Sequence, residues 1–199
     1  MKKILAITIV ALFLSTTSFA QLLKLNYGPK IGVNVSNHTL TLNAGGYSTS
    51  PLVGVQAGAF IGVQLPLKFA AQLEVLYSQA GAKYKSANTF DLKQDFVSIP
   101  LIVKYNVFDK LNIYVGPQID FLISAKTIYA TGGSPQDDKE NENTSYFSIA
   151  TGAEYNLPFG LVVSARYQPT FKEQFKKTIF NINSKRNLFT FSVGYNLPF

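Results

Sequence analysis

Residues 53–65 read Val-Gly-Val-Gln-Ala-Gly-Ala-Phe-Ile-Gly-Val-Gln-Leu, and an apolar residue occupies every odd position. Such alternation is typical of a β-strand with one apolar face, because successive side chains of a strand point to opposite sides. The odd positions carry no charge in any of the eight segments with this pattern, so the sequence predicts eight strands that share an apolar face. The other segments are 23–35, 69–77, 97–107, 113–123, 147–157, 161–171 and 189–199.

The connections between these segments alternate in length. Tight turns are predicted at 65–68, 108–110 and 158–160. Long connections, rich in Asn, Ser, Thr, Gly and charge, are predicted at 37–51, 81–94, 124–145 and 173–187. Short turns at one rim and long loops at the other are typical of an up-and-down β-barrel.

The composition excludes many kinds of chemistry. The 199 residues include no Cys, which excludes disulfide scaffolds, thiolate metal sites and Cys nucleophiles. One His leaves little room for a zinc site or a His-based enzyme. Charged residues make up only 15%, against about 25% in soluble domains. We therefore expect a non-enzymatic protein with no catalytic residue, metal, cofactor or nucleic-acid partner.

Residues 1–20 have the three parts of a secretory signal peptide. Lys2 and Lys3 precede the apolar run 4–14, and Ser18-Phe19-Ala20 fits a cleavage site. The run is too short for a membrane-spanning helix, which needs about twenty residues; a buried helix is the alternative. The sequence thus predicts export to the cell outer membrane, with residues 21–199 forming one barrel domain.

The composition of the even positions indicates which face lies outside. A soluble barrel of the lipocalin kind would turn its apolar face inward, whereas a membrane barrel turns it outward. A face exposed to water would be dense in Lys and Glu, yet the even face is mostly Gly, Ser, Asn, Gln and Ala. The prediction is therefore an all-β protein, an eight-stranded antiparallel up-and-down transmembrane β-barrel.

Aromatic residues fall near both predicted rims. Two rings that flank an aliphatic band are typical of the girdles of bilayer barrels; core aromatics of a sandwich are the alternative. The residues nearest the short turns are Tyr27, Phe69, Tyr105, Tyr155 and Tyr195, and those nearest the long loops are Phe121, Phe147, Phe171 and Phe189.

Six charged residues occupy even positions, three of each sign. Inside a narrow barrel they should pair across the lumen, because an unpaired buried charge costs several kcal/mol. The pattern predicts a polar plug, with a gated pore, a proton path, or Glu74 and Glu154 as an acid/base pair as alternatives. Asp120 has no obvious partner in the sequence. The six are Lys30, Glu74, Lys104, Asp120, Glu154 and Arg166.

The predicted long loops contain opposite charges. The last has a net charge of +4, which suits lipopolysaccharide phosphates, and the third has −3, which suits a divalent cation or the basic loop. His38 with Ser36 or Ser48 is a weak hydrolase or acyltransferase pattern, since no carboxylate is placed to orient the imidazole. The loop charges are Lys172, Glu173, Lys176, Lys177, Lys185 and Arg186, and Asp137, Asp138, Lys139, Glu140 and Glu142.

Several segments resemble a known family. The carriers are residues 28–36 (GPKIGVNVS), 96–105 (FVSIPLIVKY) and 114–117 (YVGP) leading to Leu122. They are similar to the outer-membrane β-barrel proteins of Bacteroidetes, the PorT-like family. The resemblance implies an integral outer-membrane barrel similar to the small OmpA/OmpX type. The terminal Phe199 resembles the signal that such barrels present to their assembly machinery.

The expected role is structural or interactive, without catalysis. The expected partners of a monomeric barrel are outer-membrane lipid, lipopolysaccharide and the barrel assembly machinery. The resemblance adds an alternative, an accessory of type IX secretion and gliding. A small pore and a lipid-modifying envelope enzyme are further alternatives.

Overall fold

The computed structural model describes residues 24–40, 48–85, 89–130, 134–141, 143–170 and 184–197. They form nine β-strands and two single 3-10 turns, Lys139–Asn141 and Pro158–Gly160. Among them, no helix is long and apolar enough to span a membrane. The strands are β1 (Leu25–Leu40), β2 (Ser48–Gln64), β3 (Phe69–Lys85), β4 (Phe90–Phe108), β5 (Leu111–Tyr129), β6 (Gln136–Asp137), β7 (Ser145–Asn156), β8 (Leu161–Pro169) and β9 (Ser184–Tyr195).

Eight of the strands form one closed antiparallel sheet. Each long strand pairs with its neighbours in chain order, and β6 is a two-residue addition beside β5. The ring closes between β1 and β9, where the register runs from Lys30 opposite Gly194 to Leu40 opposite Ser184. The predicted eight-stranded antiparallel up-and-down β-barrel is confirmed.

The apolar face of the barrel lies outside. Ile31, Val53 and Phe191 are all more than 60% exposed on the outer surface. The even positions point inward and bury polar side chains such as Gln118 and Ser148. A continuous apolar outer surface of this kind requires apolar surroundings.

The strands extend further toward one rim than the sequence predicts. The predicted long connection 81–94 is wrong, because only residues 86–89 separate β3 from β4. The polarity of the two faces inverts in this region: the inward side chains Tyr84 and Leu92 pack together as an apolar cluster, whereas the outward Lys83 is charged and exposed. A polar exterior around an apolar interior is the arrangement of a barrel in water, so this end projects beyond the apolar band.

The other three long connections are also shorter than predicted. Only residues 41–47 lie between β1 and β2, β5 continues to Tyr129, and β9 begins at Ser184. The three tight turns lie where the sequence predicts them.

Layers of side chains fill the interior. Next to the short turns a cavity of about 340 Å³ opens at the rim. Lys30 and Lys104 line it, and a small cluster of Ile102, Tyr114 and Ala150 also packs inside the barrel. Further toward the opposite rim, five strands contribute a larger apolar cluster. It consists of Ala80, Phe96, Leu122, Ala125, Tyr146 and Leu188.

Candidate functional site

All six predicted lumen charges are buried inside the barrel. Each comes from a different strand, and the strands that contribute are β1, β3, β4, β5, β7 and β8. None is more than 7% exposed. The alternation places them here, because an even position on any of these strands points to the barrel axis.

Glu74 is the centre of the largest charge cluster. Its Oε1 accepts hydrogen bonds from Lys30 Nζ at 2.9 Å and Arg166 Nη2 at 2.7 Å. Gln72 Nε2 donates to the same oxygen at 2.8 Å. Arg166 also donates from Nε to the hydroxyl of Tyr114 at 3.2 Å. One carboxylate therefore holds two cations and links β1, β3 and β8 across the lumen.

Lys104 and Glu154 form a second buried pair. Lys104 Nζ donates to Glu154 Oε1 at 2.5 Å. Both residues line the cavity at the short-turn rim, where Asn side chains from several strands form the wall. The side chains that line this mouth include Asn26, Asn106, Asn112, Asn156 and Asn196.

Asp120 has a partner that the sequence reading missed. The guanidinium of Arg186 donates to Asp120 Oδ2, and Gln118 Nε2 donates to Oδ1 at 2.6 Å. The assignment of Arg186 to an exposed loop is wrong, because it lies on β9 and is 2% exposed. The sequence did offer a signal: Arg186 is at an even position, two residues before Leu188, and even positions point into the barrel. The described lumen thus holds four cations against three carboxylates.

The predicted aromatic residues that the structure describes lie on the outer face. All but two of the nine are exposed there; Tyr27 is half-buried and Phe171 lies outside the described residues. Phe69 packs against Tyr105 with 5.0 Å between ring centroids. Near the other rim, Phe189 packs at 4.6 Å against Tyr167, which the prediction omitted.

An outward apolar band between aromatic residues and a packed polar lumen point to a membrane barrel. The family model of the outer membrane protein beta-barrel domain matches residues 19–175. The chain belongs to the outer membrane protein beta-barrel domain family. Membership assigns this barrel to the outer membrane, so the coarser part of the resemblance read from the sequence is confirmed.

Two solved structures share the fold of this outer-membrane barrel. The crystal structure of Neisserial surface protein A (NspA) is 12% identical and has a TM-score of 0.57, over 86% of this chain and 97% of NspA. Ail, the attachment invasion locus protein of Yersinia pestis, is 13% identical with a TM-score of 0.51, over 86% of this chain and 98% of Ail. No curated protein matches the chain.

His38 is buried inside the barrel. Its neighbours on the outer face, Asn37 and Thr39, are polar, so this part of β1 lies in the end of the barrel that projects from the membrane. His38 Nδ1 hydrogen-bonds the hydroxyl of Tyr84 at 2.6 Å. Ser36 instead donates to the carbonyl oxygen of Gly81 at 2.6 Å. The described structure brings His38 to neither Ser36 nor Ser48, so a nucleophile–base pair is not assembled there.

The single histidine of this outer-membrane barrel predicts loss of stability in acid. Burial, helped by the charge of Arg186, lowers the pKa of His38 to about 3. The unfolded chain takes up this proton near pH 6.5 and the folded chain does not, so stability falls as pH drops from 6.5 toward 3. Between pH 7 and pH 5 the free energy of unfolding should fall by about 2 kcal/mol.

Urea unfolding of refolded protein at the two pH values measures this loss. His38→Gln should remove most of the difference, since the chain has no other His. An equal pH dependence in wild type and variant would show that His38 is not the titrating group.

The remaining predicted residues are only partly described. Asp137 accepts a hydrogen bond from the backbone of Lys139 at 3.0 Å. In the parts of the chain that the structure describes, no group of His, Asp and Glu side chains could hold a metal ion. Outside the described residues lie the signal peptide 1–20, Glu142, Lys172, Glu173, Lys176, Lys177 and Phe199.

Proposed function

We propose that this protein is a monomeric, non-catalytic outer-membrane barrel with a structural or interaction role and a sealed lumen. Two features support a role on the outside of the barrel. The described lumen is filled by paired charges and packed apolar side chains, and the end that projects from the membrane is built of paired strands.

The sealed lumen is the observation that carries the proposal. Glu74 with Lys30 and Arg166 bridges three strands across the interior. Beyond this ionic layer, Phe96 and Tyr146 pack edge to face at 5.7 Å within the apolar cluster. An ion crossing the barrel would have to separate buried ion pairs and enter apolar packing, both of which are costly.

The same contacts argue against catalysis in the lumen. A general acid or base needs a substrate within hydrogen-bond reach, whereas Glu74 and Glu154 each accept from buried cations. The cavity at the short-turn rim has the carboxylates Asp109 and Glu154 but no His among its lining residues. Glu74 and Glu154 therefore serve as structural anions in this proposal.

Lysines on the outer wall support lipopolysaccharide as a lipid partner. Lys93 of β4 lies directly opposite Lys126 of β5, beyond the apolar band. Like charges in this arrangement destabilise a sheet. Asp137 of β6 is the register partner of Lys126 on its other side, but neither lysine has an ion pair within the described residues. Phosphates of the outer leaflet would neutralise both.

Two expectations from the sequence stay predictions. One is recognition of Phe199 by the barrel assembly machinery. The other is the accessory role in type IX secretion and gliding that the PorT-like resemblance implies.

Planar-bilayer recording tests the sealed lumen. We expect no stable conductance from the wild-type protein. Phe96→Ala combined with Tyr146→Ala should remove much of the apolar layer and give brief openings, while Phe121→Ala on the outer face should stay silent. Steady wild-type conductance would refute the proposal in favour of a pore.

A further inference from the structure

The tips of the three short turns carry exposed apolar side chains. Leu67 and Phe159 are 83% and 91% exposed in the β2–β3 and β7–β8 turns, and Phe108, the last residue of β4 before the β4–β5 turn, is 69% exposed. A turn in water normally carries Gly, Asn, Asp or Ser at such positions. These three side chains therefore lie where the chain itself gives them little to pack against.

Two of these tips are also conformationally strained. The backbone φ is +61° at Leu67 and +63° at Phe159. This left-handed region is unfavourable for bulky residues and is normally filled by Gly or Asn. The hairpins themselves impose this conformation, because a tight hairpin turn needs positive φ at two successive residues and backbone hydrogen bonds from Leu65 N to Phe69 O and from Leu157 N to Leu161 O close the two turns. The side chains themselves stay outside this backbone network.

The tips are spread around the whole rim. The three turns follow one another at intervals of two strands, and the chain ends complete the series where β9 meets β1. There, Leu25 and Leu197 are 46% and 40% exposed. A protein partner docking on one side would need one patch, whereas a ring of apolar residues at one level matches a planar partner.

Lysines lie near two of the three apolar tips and at the start of β1. Lys68 directly follows Leu67, Lys110 follows Phe108 with Asp109 between them, and Lys24 directly precedes β1. All three are exposed, and none has an ion pair within the described ranges. Apolar side chains beside cations are the composition of segments that lie at an anionic lipid surface.

The height of the aromatic band indicates that the lipid-facing surface continues to the short turns. On β7, Phe147 and Tyr155 are eight residues apart, or about 26 Å along the strand. A strand tilted by about 40° then covers about 20 Å of the membrane normal, less than the apolar band of about 25 Å that such barrels present. The turn tips continue the lipid-facing surface beyond Tyr155 and make up this difference.

We propose that the short-turn rim is a lipid anchor. Leu67, Phe108 and Phe159 insert among the phospholipids of the periplasmic leaflet, and the neighbouring lysines contact their phosphates. The short turns of bacterial barrels face the periplasm, which identifies the leaflet. The anchor does not depend on whether the lumen is sealed.

A single tryptophan measures the depth of the tip. The chain has no Trp, so Phe159→Trp reports only this position after refolding into phosphatidylethanolamine–phosphatidylglycerol vesicles. We expect blue-shifted emission that is quenched most by bromine attached close to the headgroup. Phe191→Trp in the middle of the band should be quenched most by bromine near the chain ends. Water-like, unquenched emission from position 159 would overturn the anchor and point to a protein partner or bare solvent.

Replacement of the tip by asparagine tests the energetic contribution. Phe159→Asn keeps a residue that tolerates positive φ and removes the apolar side chain. If the tip is inserted, the urea midpoint in these vesicles shifts down; Leu67→Asn should act alike. If the tip lies in water, relief of strain shifts the midpoint up, which would also overturn the proposal. A variant that does not refold leaves the tryptophan measurement to decide.

Discussion

Replacement of Glu74 by glutamine is expected to lower the free energy of unfolding by about 3–5 kcal/mol. Glutamine keeps the shape of the side chain but removes the charge that Lys30 and Arg166 share. Two cations then remain buried within reach of each other without a counter-charge. Urea unfolding in lipid vesicles, followed by the heat-modifiable gel shift, measures the loss.

Two comparisons separate charge pairing from simple damage to the lumen. Asp91→Asn breaks the exposed Lys83–Asp91 pair, whose atoms are 3.8 Å apart, and should cost about 0–1 kcal/mol. Adding Lys30→Met and Arg166→Met to Glu74→Gln should recover much of the lost stability, because no buried charge is then left unpaired. If Glu74→Gln costs no more than Asp91→Asn, the carboxylate does not hold the lumen together.

Phe191→Arg is expected to destabilise the barrel by about 2–4 kcal/mol. The side chain is 61% exposed on the outer wall, opposite Ala165 on one side and Val33 on the other. At mid-membrane depth a guanidinium would sit in hydrocarbon. Unfolding in vesicles measures the cost, and Phe191→Leu should lose much less.

An arginine at a position outside the membrane is the control for this substitution. Asn187 lies on the same strand and the same face, four residues away and beyond the apolar band. An arginine there should cost only about 0–1 kcal/mol beyond the loss of the hydrogen bonds that Asn187 donates to Thr39 and accepts from Tyr167. Equal costs at positions 187 and 191 would show that the membrane boundary does not lie between them.

The alternation of residues was enough to predict the architecture. A barrel wall in lipid obeys one rule over its whole height, apolar outside and polar or small inside. Eight segments that obey this rule with uncharged odd positions left little choice of fold. The match over residues 19–175 and the closed ring agree with that prediction.

The errors arise where the rule reverses. Above the apolar band, Tyr84 and Leu92 point inward and Lys83 outward, so strands continue where the sequence was read as loops. Arg186 was misassigned for the same reason, since it falls in that zone. Sequence alone shows neither the height of the membrane boundary nor how far a strand continues into water.

Contacts in the lumen were only partly predictable. Their even positions in the alternating pattern indicated that Lys30, Glu74 and Arg166 share the interior. Their convergence on one carboxylate oxygen depends on the stagger of β1, β3 and β8, which strand pairing sets. The strain at the turn tips could not be predicted, because the sequence Leu-Pro-Leu-Lys gives no sign of positive φ at Leu67.

The joint between β1 and β9 has a consequence for biogenesis. The first strand to leave the ribosome needs the last one as its partner, and a peptide group without a partner in hydrocarbon costs several kcal/mol. Insertion one strand at a time would leave these groups of β1 unpaired in hydrocarbon, so we expect the edge of β1 to stay shielded until β9 reaches it. Once the joint has formed, every long strand of the described barrel is paired on both sides, so unfolding has to begin by separating two paired strands.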